Sequence, residues 1–443
     1  MVIVQELVNR WNVVWGRALK LLLLIIDGMS DLPVPDLGGK TPLEFADTPN
    51  MDSLARRGQT GVMYTVRKGI APESHAGVLS VLGYDPFKYV ASRGVLEALG
   101  AGMKFEDGDL ALRCNFVTLD KGMNIIDRRV GRDLTADEAR RLAEEINEKV
   151  KLDSYPAEFE FRSTISYRGA LVIRSRANPL SDNIMGTDPA YYRENNLTLA
   201  KSDFKMIAQE SRPLDETEAA RISARLVNEL SRKGCEVLER SGVNEKRARA
   251  EKLKANCLLM RDPGARLPKL YDIGREYGVR FASLVNMPVE KGIAKLTGME
   301  GIDIPPPSED LTKDCKLMTE KLLECLQDYD CFYIHIKGPD EPGHDGDCNR
   351  KARLLEVIDK HFFGGLEERL DWGGLIVCVT ADHATPCVAR AHTDDPVPLL
   401  ISGDGVVADG SVGFSERVCA KGSLGTLERG VELMPRLMAM MKR

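Results

Sequence analysis

The stretch LKLLLLIID, residues 19–27, constrains the fold more than any other part of the chain. Successive side chains of a strand point to opposite sides, so a strand of consecutive apolar residues is apolar on both faces. Such a strand is stable inside a sheet covered above and below, typically a parallel sheet layered with helices. The run is far too short to cross a bilayer. It leads straight into DGMSD, with no small-residue cleavage site, which argues against a signal peptide. A leader precedes it, and its WNVVW segment (11–15) is expected to pack on the domain surface.

The alternation continues on either side of the middle third. NMDSLARRG (50–58) reads as a helix with Asn50 as N-cap and Gly58 as its stop, GVMYTV (61–66) as a strand, and HAGVLSVLG (75–83) as a helix. Further on, DCFYIHI (330–336), LIVCVT (375–380) and VPLLISG (397–403) read as strands. Between the first two lies one long helix over 348–370. The middle differs. ALRCNFVTLD (111–120), MNIIDRRVG (123–131) and the run 159–175 read as antiparallel strands. Two helices accompany them, one starting at a Thr135–Glu138 capping box, the other over 215–234. The expected fold is α/β: a mostly parallel sheet with helices on both faces, built from residues 1–105 and 268–443. A smaller α+β domain, 106–267, is inserted into it.

In open α/β sheets the chemistry lies at the carboxyl ends of the strands. Asp27, Asp340 and Asp382 each stand just past such an end, which places three distant acids on one rim. Five of the six histidines fall between 335 and 392, three of them in GPDEPGHDGD, VTADHATP and AHTDDPVP, so Asp340, His344, Asp382, His383 and His392 are candidate ligands. Hard carboxylates with imidazoles suit divalent ions such as Mn2+, Zn2+ or Mg2+. His335 lies inside its strand and His361 inside its helix, and both read as structural. Ser74, in APESHAGVLS, stands at a helix N-terminus, where free N–H groups favour an anion, although taken alone a serine there is more often a plain N-cap. A metal on its hydroxyl would make it a nucleophile.

Net charge is −6, so nothing global attracts nucleic acid, and any anion must be gripped by local Arg or Lys. The 10 cysteines include no CxxC pair, which reads as reduced, mostly buried thiols in a cytoplasmic protein. No GxxxxGK[ST] loop is present, so no nucleotide is expected in that form. No heptad seam specifies an oligomer.

Together, DG at the first strand end, TPN before a helix, PESHAGVLSVLGYDP, PDEPGH, TADH and AHTDDPVP resemble the alkaline phosphatase superfamily. GVLEALGAGM, RCNFVTLD, DRRVGR and GIAKLTGM bring the resemblance closer to the archaeal-type cofactor-independent phosphoglycerate mutases, from about Leu21 to Gly403. It implies an alkaline-phosphatase-like core and a small phosphorylated hydroxy acid as substrate. It also implies two divalent ions (Mn2+, Zn2+, Co2+ or Mg2+) and no 2,3-bisphosphoglycerate. One ion would be held by Asp340, His344 and His392, the other by Asp27, Ser74, Asp382 and His383. Ser74 would carry the phosphoryl group in transit. In the insert, acting as a substrate-binding lid, Asp127 would move protons and Arg128, Arg129 and Arg132 would hold phosphoglycerate, with Arg168 and Arg261 as further candidates. Arg275, in REYG, stands where a substrate lysine is expected. The same resemblance leaves a phosphatase or a homoserine-kinase-like enzyme as the alternative.

Overall fold

The computed structural model describes residues 19–194, 197–201 and 203–442. The WNVVW segment lies outside them. By internal contacts the chain forms two compact units. One holds the described residues up to Lys88, Tyr271–Asn286 and Gly298 onward, and the other holds Tyr89–Leu270 and Met287–Thr297.

The first unit is built on an eight-stranded sheet. Its order is Glu300–Gly301, Phe281–Leu284, Cys331–Ile336, Lys20–Ile26, Leu375–Thr380, Val397–Gly403, Gly58–Met63, Gly425–Leu427. The apolar run lies in the middle, with Leu21 paired to Cys331 on one side and Leu22 to Val377 on the other. Leu21–Ile26 are all fully buried, so both faces of the strand are covered. Seven strands run parallel, and Val397–Gly403 alone runs against its neighbours. That reversal has a use. The carboxyl ends of its neighbours and its own beginning lie on the same rim, so the chain entering it passes over that rim.

Three local readings change. The first helix is Pro49–Arg56, and Asn50 does not cap it. Asp359 does, accepting from the backbone N–H of Asn50 (3.2 Å) and of Met51 (2.7 Å). The capping carboxylate comes from 309 residues away, where no local pattern could reveal it. The long helix over 348–370 is instead Cys348–Ile358, a π-helical turn Asp359–Phe363, and Gly364–Glu367. The π turn begins at buried Asp359, the residue whose carboxylate makes that cap. The third concerns the thiols. Cys235 and Cys257 are joined, Cα to Cα 4.4 Å, while seven of the eight free cysteines are buried. Tertiary packing of a helix on a strand makes that pair, so sequence spacing carries no trace of it.

The second unit centres on an antiparallel sheet. Leu110–Leu119 pairs with Arg168–Ser175, Cys257–Gly264 and Ile125–Asp127, and Ala157–Ser163 adds the far edge. Helices Ala136–Lys149 and Glu218–Glu239 share its core, and the Thr135–Glu138 capping box is formed. Among the described residues no helix is long and apolar enough to cross a membrane.

Candidate active site

Each acid of the rim is delivered by a strand end. Asp27 follows Lys20–Ile26, and Asp382 and His383 follow Leu375–Thr380. Beyond Cys331–Ile336 the expected loop is a short helix, Asp340–Asp345, and its i,i+4 geometry sets His344 above Asp340. His392 enters from the chain leading into the reversed strand. Ser74 is the first residue of helix Ser74–Val81, one place inside the N-cap position, and is 8% exposed. That helix comes close because Gly77 has no side chain: a Cβ there would lie 2.1 Å from the carbonyl oxygen of Asp382.

These side chains converge. His344 Nε2 is 3.2 Å from His392 Nε2 and 3.5 Å from Asp340 Oδ1, and His392 Nε2 is 3.4 Å from the same oxygen. His383 Nε2 is 3.1 Å from Ser74 Oγ, 3.3 Å from Asp382 Oδ2 and 3.6 Å from Asp27 Oδ1. Among the described residues two groups have donor atoms close enough to hold a cation, Asp340 with His383 and His392, and Asp27 with Asp382 and His383. His383 belongs to both.

The donor set fits divalent ions. Asp27 Oδ1 and Asp382 Oδ2 are buried without a hydrogen bond, a costly state for a carboxylate oxygen that a cation would relieve. Burial, and then the Asp27 carboxylate beside it, push Asp382 well above the usual carboxylate range. For Asp340, burial also raises, but the hydrogen bond from His392 and the charges of His383, His392 and His344 prevail and hold it well below. His392 is depressed by burial and then carried by Asp340 to about 9. Burial, followed by His392, keeps His383 neutral, which leaves its ring free to act as a ligand.

Two neighbours were not visible as site residues in the sequence. Lys337 Nζ is 3.2 Å from Asp27 Oδ2, and its only signal was a lysine directly after an apolar strand. His335, read as structural, is indeed in the core, yet its Nε2 faces Asp382 Oδ2 at 3.8 Å.

The second unit gathers cations. Arg113 lies opposite Arg261 and Asn115 opposite Arg168 in the strand register, so all three arginines stand on one face of the sheet. Buried Glu97 meets Arg93 at 3.1 Å and Arg113 at 3.2 Å. Burial, and then the charges of Arg93 and Arg261, pull the Arg113 guanidinium down to about 10. Nearby, the fully buried carboxylate of Asp188 accepts from Arg128 at 2.5 Å and Arg261 at 2.9 Å. Arg261 also covers the Tyr191 ring at 4.4 Å. Asp188, Arg113 and Arg93 escaped the sequence reading, since each is an isolated residue until strands align it. Asp127 accepts from the Arg129 backbone N–H at 2.6 Å. Val130, Gly131 and Arg132 then take φ of 52°, 68° and 59°, a left-handed run that a β-branched valine rarely adopts and that marks a constrained loop. Arg129 and Arg132 remain exposed on it.

Arg275 does not join the rim residues. It sits on Ile273–Tyr277, before the amino end of Phe281–Leu284, and is 90% exposed beside Asp272 at 3.5 Å. The carboxyl-end rim is at the other end of that strand.

The family model described as 2,3-bisphosphoglycerate-independent phosphoglycerate mutase matches residues 55–244. A relative carrying that name from Aeropyrum pernix is 43% identical over 429 residues, 96% of this chain and 100% of the relative. The chain belongs to this family. A second member, from Methanopyrus kandleri, is 38% identical and covers 93% of this chain and 94% of its own. Among solved structures, the cofactor-independent phosphoglycerate mutase of Thermoplasma acidophilum is 30% identical with a TM-score of 0.58, covering 95% of this chain and 100% of that one. The PH0037 protein of Pyrococcus horikoshii is 29% identical with a TM-score of 0.75, covering 96% and 98%.

Proposed function

We propose that the protein interconverts 3-phosphoglycerate and 2-phosphoglycerate through a phosphoserine at Ser74, without 2,3-bisphosphoglycerate. The observation that carries this reading is the position of Ser74 Oγ, 3.1 Å from His383 Nε2 among the rim acids, in a member of this mutase family. Asp340, His344 and His392 are the proposed ligands of one divalent ion, and Asp27, Ser74, Asp382 and His383 those of the other. When bound, the ions would lower the pKa of the Ser74 hydroxyl and clamp the phosphoryl oxygens.

Ser74 Oγ loses its proton as it attacks phosphorus, the bond from phosphorus to the substrate O3 breaks, and the departing alkoxide takes up a proton in its place. Glycerate turns while held. Its 2-hydroxyl then attacks the phosphoserine, loses its proton, and frees Ser74. Asp127 is assigned the proton transfers. Arg128, Arg129, Arg132, Arg168 and Arg261 are assigned the grip on carboxylate and phosphate, since guanidinium binds both in a fork. The unit that carries them is thus the substrate-binding part, and holding glycerate is what separates a mutase from a phosphatase. The kinase alternative gains no support from the family to which the chain belongs, whose members carry the mutase name. The cytoplasm is the proposed location.

Intact-mass analysis of metal-loaded protein after a pulse of 3-phosphoglycerate tests the scheme. A gain of one phosphoryl group, lost in Ser74→Ala along with turnover, is expected. Substantial mutase activity in Ser74→Ala would overturn it.

A further inference from the structure

We infer that Thr385 fixes the tautomer of His383 and links the two ligand groups, acting as a positioning residue at their junction. The inference rests on the proposed metal sites and concerns this chain's own proton arrangement around them.

Thr385 is fully buried two residues after His383. Its hydroxyl has two partners, Asp340 Oδ1 at 2.7 Å and His383 Nδ1 at 3.0 Å. A hydroxyl carries one proton. The carboxylate of Asp340 can only accept, so the Thr385 proton goes to Asp340. The Thr385 oxygen must then accept from His383, which places the imidazole proton on Nδ1. Nε2 is left as a bare lone pair. It is this atom that faces Ser74 Oγ, Asp382 and Asp27. The opposite tautomer would put a proton where a ligand lone pair is required, and would leave Nδ1 and the threonine oxygen both as acceptors.

The position of Thr385 is over-determined. Its backbone N–H donates to Ser30 O at 3.1 Å, and its carbonyl accepts from the buried Lys351 ammonium at 2.9 Å. Lys351 also meets Ser30 O at 3.1 Å and Asp31 Oδ2 at 2.8 Å, so it braces the loop after Asp27 against the loop after His383. Gly28 leaves room for the hydroxyl: at φ +59°, a Cβ there would lie 2.7 Å from Thr385 Oγ1. One hydroxyl, held from both loops, thus orients a ligand of each group. Partners behind ligating histidines typically change metal affinity about 10–100-fold when removed.

The test uses the full chain labelled with 15N-histidine, with His383 assigned through His383→Gln. Two-bond 15N–1H correlations read the tautomer directly, with and without Zn2+, and Co2+ titration reads affinity by its absorption spectrum. The wild type is expected to carry the His383 proton on Nδ1 before any metal is added. Thr385→Val is expected to lose that preference and to bind Co2+ about 10–100-fold more weakly, and Thr385→Ser to restore both. A wild-type His383 protonated on Nε2 overturns the inference whether or not any variant folds. So does Thr385→Val with unchanged tautomer and affinity, or Thr385→Ser failing as Val does. Wild-type protein that binds no divalent ion, yet holds the Nδ1 proton, would instead refute the proposed metal sites.

Discussion

Gly77→Ala asks whether the approach of the Ser74 helix to the Asp382 strand end matters as much as the geometry suggests. The added Cβ would meet the Asp382 carbonyl oxygen at 2.1 Å and its carbon at 3.0 Å. Carbon contacts settle at about 3.5–4.0 Å, so the helix must retreat by more than ~1 Å. Neither partner is a flexible side-chain tip; both are backbone, and the Asp382 side chain is tied down as well, its Oδ1 accepting from the Gly28 N–H at 3.1 Å. Overpacking of this kind costs about 1–3 kcal/mol. The retreat carries Ser74 Oγ away from His383, and a displacement near 1 Å in a reacting group can cost about 10²-fold in rate. Urea denaturation and a coupled assay of 2-phosphoglycerate formation measure the two effects. Gly234→Ala is the control. It lies inside helix Glu218–Glu239 with nothing within 4 Å of the new methyl group, so a gain of about 0.5–1 kcal/mol with unchanged turnover is expected. Gly77→Ala with wild-type turnover would refute the reasoning, even if stability fell.

Arg128→Ala should lower mutase turnover far more than hydrolysis of a small generic phosphate ester, raising the ratio of phosphate released to 2-phosphoglycerate formed. Equal loss of both activities would remove Arg128 from the grip on glycerate. Asp359→Ala strips the cap from helix Pro49–Arg56 and should cost about 0.5–2 kcal/mol by urea denaturation, with the rim acids unaffected. The carboxyl of half-buried Glu416 is raised by desolvation, against hydrogen bonds from Thr41 and Asp31, to about 7. Its folded pKa thus exceeds the unfolded value, so its stabilisation is full below about pH 4.5 and is lost as pH rises through 7. Stability should decline over that window by at most about 3 kcal/mol, and Glu416→Gln should flatten the decline.

The parts of this protein that a sequence exposes are those encoded by neighbours in the chain. LKLLLLIID declares a doubly covered strand because every residue is apolar, and the acids Asp27, Asp340 and Asp382 declare a rim because each follows such a run. The Thr135–Glu138 box is local and was formed as read. What stayed hidden is encoded by pairing. Arg113 becomes a partner of Arg261 only through strand register. Asp188 is a lone acid in GTDPAYY until two arginines from other segments close on it. The Asp359 cap and the Thr385 bridge likewise depend on residues that distant segments supply. Arg275 shows the converse. A family position suggested a site residue, but the helix that carries it feeds the wrong end of its strand.

The central strand has a consequence for biosynthesis. Leu21 pairs with Cys331, and Leu22 with Val377, so both partners of the most apolar segment emerge more than 300 residues after it. At about 5–20 residues per second of synthesis, that delay is on the order of tens of seconds. Meanwhile Tyr89–Leu270, most of the second unit, is complete and free to close on its own core. The nascent chain therefore carries an unpaired LLLLII edge past a finished neighbour. Such a segment is a template for pairing with other chains until Cys331–Ile336 and Leu375–Thr380 have been made.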